Sequence, residues 1–132
     1  MIVLDASVLI GHLDARDGHH EKATALLEAS DGEPLGASTI TLAETLVAPA
    51  RAKRLEEAKA ALQRLGVEKL GLGEDAPVRL AELRAETGRK LPDCCVLAAA
   101  RQHDGSVASF DADLRKAARK LGLGVVRIDA AP

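Results

Sequence analysis

The spacing of hydrophobic positions along this chain changes repeatedly, and each change predicts a switch between strand and helix. Met1–Leu4 is a short apolar run that stops at Asp5, and Ala6–Leu13 resumes at helical spacing, which predicts a strand and then a helix. His19–Ala29 places Ala23, Leu26 and Leu27 on one face before Ser30-Asp31-Gly32-Glu33-Pro34 breaks the chain, so a second helix ends there. Leu35–Ala37 reads as a brief strand, Thr39–Ala48 as a helix stopped by Pro49, and Arg51–Leu65 as a charged, Ala-rich amphipathic helix closed by Gly66. Val67–Leu70 predicts a strand and Asp75–Glu86 a helix. Pro92 and Asp93 open a further helix that runs to His103. Ser106–Ser109, Ala112–Leu121 and Val125–Ile128 complete the series as strand, helix and strand ahead of a short tail.

Alternating strands and helices predict an α/β fold with a mainly parallel central sheet covered by helices on both faces. Ligands of such sheets bind beyond the carboxyl ends of the strands, so the strand-to-helix turns are where chemistry is expected. At 132 residues the chain is expected to form a single domain, residues 1–132, with a core large enough to stand without disulfides or structural metal. Hydrophobic residues make up 47% and charged residues 29%, which excludes a disordered chain. Phe110 is the only aromatic residue, so the core must be aliphatic and recognition by base stacking on aromatic platforms is excluded.

A formal net charge of −2 gives no global basic field for nucleic acid, leaving only a local patch for that task. The longest apolar run, Cys94–Ala100, is far too short to span a bilayer, and the N-terminal segment lacks the features of a signal peptide. The two cysteines, Cys94 and Cys95, are adjacent and unsuited to an ordinary disulfide. They read as small buried apolar side chains of a protein at home in a reducing cytoplasm.

Four acids stand at turns of the same kind: Asp5 after the first strand, Glu44 early in the helix after the second, Asp93 opening a helix, and Asp111 after the Ser106–Ser109 strand. Each has a simpler structural reading, since Asp caps helix N-termini and Thr41-Leu42-Ala43-Glu44 matches a capping box. As a set they suggest more. Carboxylates crowded into one cleft repel one another and need a divalent cation or raised pKa values to coexist. Magnesium suits an all-oxygen site and would activate water for phosphodiester hydrolysis, with manganese as a substitute. The histidines His12, His19, His20 and His103 show no zinc-ligand spacing and read as surface side chains, with His103 suited to a helix C-terminus. Gly71-Leu72-Gly73 and Gly122-Leu123-Gly124 lack the spacing of a dinucleotide-binding turn.

With these residues in view, the chain resembles PIN-domain ribonucleases, and specifically the VapC-type toxins of bacterial and archaeal toxin–antitoxin pairs. The resemblance is carried by IVLDASVLI, LAETL, LPDCCVLAAA and ASFDADL, which together span nearly the whole chain. It implies a PIN-like three-layer α/β/α sandwich and a catalytic set of Asp5, Glu44, Asp93 and Asp111, with Asp113 as the alternative to Asp111. Asp5 and Asp93 would ligate magnesium directly, one or two ions being left open, and Ser7 and Ser109 would set hydroxyls beside the acids. The implied substrate is structured RNA, transfer or ribosomal, cut to leave a 5′-phosphate and a 3′-hydroxyl. Arg51, Lys53 and Arg54 are the first choice for gripping its backbone, with Arg84, Arg89, Lys90, Arg115 and Lys116 as further choices. The implied partners are a VapB-type antitoxin and a second copy of the chain, for which the helices at residues 19–29 and 39–65 offer apolar surface.

Two rival functions follow from the same residues. One is a domain that keeps this fold but only binds RNA or a partner. The other is a haloacid dehalogenase-like phosphatase, whose opening Asp-x-Asp is only partly matched by Asp5-Ala6-Ser7.

Overall fold

The computed structural model describes residues 1–128. Five strands, β1 (Ile2–Leu4), β2 (Leu35–Ser38), β3 (Val67–Leu70), β4 (Ser106–Ala108) and β5 (Gly124–Val125), form one sheet in the order β3-β2-β1-β4-β5. Every pairing is parallel. Seven helices connect and cover them among the described residues: α1 (Ala6–Leu13), α2 (His20–Ala29), α3 (Thr39–Arg51), α4 (Leu55–Leu65), α5 (Ala76–Thr87), α6 (Leu91–Gln102) and α7 (Ala112–Lys120).

Strand alternation divides the core in two. Val3 and Val107 point to one face, where they join Leu70, Leu83, the buried run Val96–Ala100 and Leu114 under α5, α6 and α7. Ile2, Leu4 and Ala108 point to the other, against Val8, Leu9, Ala23, Leu27 and Leu62 of α1, α2 and α4. Because side chains on a strand alternate, each three-residue strand feeds both cores. The result is the expected three-layer α/β/α sandwich with a central parallel sheet.

Local chemistry moves several predicted boundaries. Pro49 lies inside α3 instead of ending it: its missing N–H removes one bond in the last turn, and Ala52 N–H still reaches Ala48 O at 3.0 Å. α3 runs on to Arg51 and Lys53 has a φ of 58°, so Ala52–Arg54 form the α3–α4 connection and α4 starts at Leu55 instead of Arg51. The last strand is shorter and earlier than Val125–Ile128: Ser106 and Val107 of β4 pair with Gly124 and Val125, and the tail beyond Ile128 lies outside the described residues. Gly36 admits the β2–β3 packing, since a Cβ there would meet Leu70 Cδ1 at 2.6 Å. His12 and His20 are also more than surface side chains. His12 Nδ1 pairs with Thr24 Oγ1 at 3.0 Å and His20 Nδ1 with Gly11 O at 2.9 Å, which ties α1 to α2.

Strand order locates the cleft. From the central β1 the chain steps outward through β2 and β3 on one side, then returns to place β4 and β5 on the other. The connections after β1 and β4 therefore diverge, and a crevice opens at their carboxyl ends.

Candidate active site

Asp5 sits where β1 gives way to α1, at the mouth of that crevice. It is the N-cap of α1, with Val8 N–H donating to its Oδ1 at 3.2 Å, so the capping reading holds. Capping does not exhaust its contacts. Ser7 Oγ donates to the same oxygen at 2.6 Å, and Ser109 Oγ, from the end of β4, donates to Oδ2. Asp5 is 8% exposed. Burial pushes its carboxyl above the usual aspartate range against the opposing pull of Ser109, Ser7 and the Val8 N–H, and nearby Asp93 pushes it the same way as burial.

The two serines also build the walls. Ser7 Oγ accepts from Phe110 N–H at 3.0 Å and Ser109 Oγ from Asp111 N–H at 2.9 Å, so the turn after β4 is fastened to the turn after β1. Phe110 is held in this turn, its ring stacked on His19 with centroids 4.4 Å apart and planes 6° from parallel. The one aromatic residue thus flanks the acids, a placement no local sequence signal announces.

Glu44 projects from α3 within electrostatic reach of Asp93 and Asp5. Burial raises its pKa, Lys90 opposes that, and the two aspartates add to it. Its capping-box reading fails: the N-cap of α3 is Ser38, whose Oγ accepts from Thr41 N–H at 3.2 Å, leaving Glu44 a full turn beyond the box position.

Asp93 lies in the first turn of α6 and Asp111 caps α7, its Oδ1 accepting from Asp113 and Leu114 N–H. Both are joined by Arg89. Its Nε and Nη2 donate to Asp93 Oδ2 at 3.1 and 2.6 Å, Nη2 reaches Asp111 Oδ2 at 3.2 Å, and Nη1 stands 3.9 Å from Asp113. The sequence suggested Arg89 as a backbone grip. The structure turns it inward onto three acids, and its four-residue spacing from Asp93 was the available signal. Asp113, whose side chain is 79% exposed, stands at the rim.

Lys90 lies beside Glu44, and Arg115 Nη1 donates to Ser109 O at 3.0 Å, so two further cations border the acids. Arg51 and Lys53 are exposed at the far end of α3, about 10 Å along its axis from Glu44 by helical rise. Arg54 is exposed there too and paired with Glu57 at 2.7 Å. Cys94 and Cys95 are buried in α6, as expected of apolar side chains.

The donors facing the crevice are carboxylate and hydroxyl oxygens, a set suited to a hard divalent cation and unsuited to zinc. Among the described residues no three acidic, histidine or cysteine side chains converge closely enough to form a cage by themselves. Magnesium commonly needs only one or two carboxylates with water and substrate phosphate, so the oxygens present fit it.

The family model for the PIN domain matches residues 2–120. Among solved structures, the chain is similar to a toxin–antitoxin complex from Klebsiella pneumoniae, with 26% identity, TM-score 0.70, and coverage of 84% of this chain and 87% of that one. It is similar to Mycobacterium tuberculosis VapC20, a sarcin-ricin-loop-cleaving toxin, with 24% identity, TM-score 0.73, and coverage of 96% and 99%. Rickettsia felis VapBC2, solved with a DNA fragment from its promoter, shares 17% identity and TM-score 0.73 over 98% of this chain and 100% of that one. No curated protein matches the chain.

Proposed function

This chain belongs to the PIN domain family, and from that premise we propose that it is the toxin of a toxin–antitoxin pair, a magnesium-dependent endoribonuclease held in check by a VapB-type antitoxin. The observation that carries the reading is Asp5: a carboxylate 8% exposed, at the switch point of a parallel sheet, held by the hydroxyls of Ser7 in α1 and Ser109 after β4 and within electrostatic reach of Asp93 and Glu44. Burying a carboxylate is costly even when hydrogen bonds offset part of the cost, and perturbed carboxylates of this kind cluster at functional sites. The similarity to a toxin–antitoxin complex supports the biological setting.

In this reading Asp5 and Asp93 hold the ion directly, while Glu44 and Asp111 reach it through water or a second ion. Magnesium, or manganese in its place, would lower the pKa of a bound water and offset charge on the phosphate. The protein's own groups do the rest. Ser7 and Ser109 favour the ionised form of Asp5 and fix its two oxygens. Glu44, whose proton affinity is raised, is suited to accept a proton from the attacking water. Lys90 and Arg115 border the acids where the RNA backbone must pass, with Arg51, Lys53 and Arg54 meeting flanking phosphates farther out. The substrate class is structured RNA, transfer or ribosomal, cleaved to a 5′-phosphate and a 3′-hydroxyl.

The partner surfaces favoured here lie on α3, where Ile40 and Val47, seven residues apart on one face, are 44% and 45% exposed. A homodimer and the antitoxin would share such surface. No helix among the described residues is long and apolar enough to cross a membrane, and a cytoplasmic site of action follows from the proposed RNA substrate.

The test compares wild type, Asp5→Asn and Asp93→Asn on total cellular RNA with magnesium or EDTA, mapping the ends. Discrete cuts that need magnesium and both aspartates are expected. RNA or antitoxin binding without cleavage by the wild type would sink the enzyme reading and leave a binding module.

A further inference from the structure

Arg89 presents a contradiction for a site that binds a cation. A guanidinium already takes Asp93 Oδ2 through two N–H groups, at 3.1 and 2.6 Å, and reaches Asp111 Oδ2 at 3.2 Å. Its side chain is 23% exposed and that of Asp93 13%, so the pair is poorly screened by solvent. Backbone contacts hold the arginine in position as well. Its own carbonyl accepts from Arg84 Nη1 at 3.0 Å, and its N–H donates to Thr87 Oγ1 at 3.1 Å. A +1 charge fixed on two proposed metal-site acids opposes the approach of a +2 ion, and its hydrogen bonds occupy lone pairs the ion would use.

We propose that Arg89 is an internal counter-ion that sets the metal affinity of the acidic site, by occupying Asp93 and Asp111 in the metal-free protein and yielding part of that contact when a divalent ion enters. The inference rests on the magnesium reading above and deepens it. It accounts for how Asp93 and Asp111 lie close together without repelling one another, since Arg89 bonds both. Among these bonds Arg89 touches neither Asp5, whose oxygens accept only from neutral donors, nor Glu44, so its charge bears directly on Asp93 and Asp111.

The experiment is calorimetric titration of the purified full chain with Mn²⁺ alone, for wild type, Arg89→Met, Arg89→Lys and Asp93→Asn, with melting curves of each in EDTA and in Mn²⁺. Arg89→Met is expected to bind Mn²⁺ about tenfold tighter than wild type, from removal of the nearby charge. It should melt lower in EDTA and gain more from Mn²⁺ than wild type does. Arg89→Lys keeps the charge and is expected to stay within about threefold of wild type. Affinity unchanged or weakened in a folded Arg89→Met, with Asp93→Asn still abolishing binding, would overturn the role of Arg89 and leave the metal reading standing. Absence of Mn²⁺ binding in wild type and Arg89→Met alike would overturn both.

Discussion

Ser109→Ala isolates how the cleft tolerates a buried charge. Ser109 is fully buried and donates to Asp5 Oδ2 while accepting from Asp111 N–H at 2.9 Å, so the substitution removes two bonds of different kinds. A hydrogen bond to a charged group contributes about 1.5–3 kcal/mol, and a neutral one about 1 kcal/mol. For 132 residues the unfolding entropy is roughly 0.28 kcal/mol/K, so the charged bond alone corresponds to about 5–10 °C in Tm. The sign with pH follows from Asp5. Burial raises its pKa in the folded chain, and the Ser109 bond pulls it back by favouring the ionised form. Removing Ser109 raises the folded pKa further, so the full loss applies at pH values where Asp5 is ionised and shrinks as Asp5 becomes protonated. The neutral Asp111 term remains at every pH. Melting of the metal-free protein from about pH 3.5 to about pH 8 measures this, and the acid limb of the cleavage profile should move to higher pH in the variant. An equal Tm loss at both ends of the range would refute the claim that Ser109 acts on the charge of Asp5.

Three further outcomes are expected. Gly36→Ala places a Cβ 2.6 Å from Leu70 Cδ1 in a buried position and should cost about 1–3 kcal/mol in urea denaturation, with a double variant carrying Leu70→Ala losing less than the sum of the two. Burial and the neighbouring His20 hold the His12 pKa below its usual value, so the unfolded chain takes the proton first and stability falls as pH drops through about 6.5; in His12→Gln, melting between about pH 8 and about pH 5 should show a shallower decline. Reversing Arg51, Lys53 and Arg54 to Glu should weaken RNA binding and flatten its salt dependence, and an unchanged slope would remove the α3–α4 connection from the binding surface.

The order of strands and helices was legible because period alone carries it: residues 1–4 and 6–13 differ in spacing, and Gly and Pro punctuate the rest. Boundaries were less legible where a local rule met a tertiary contact. Pro49 ends a helix by propensity, yet α3 continues two residues beyond it, and the last strand stops at Val125, where pairing with β4 stops. The Thr41–Glu44 capping box was a plausible local pattern that lost to Ser38, which is placed by the end of β2.

The sequence by itself determined the alternation of elements, the aliphatic character of both cores and the presence of acids at successive turns. Those properties depend on residues within a few positions of one another. Tertiary structure alone decided that Ser109 meets Asp5 across 104 residues and that Arg89 reaches Asp111 across 22. The first contact follows from strand order, which sets β4 beside β1 and so brings their turns together, and the second from α6 packing on β1 and β4. Strand order is a non-local outcome of packing two apolar faces at once, and no short window of sequence contains it.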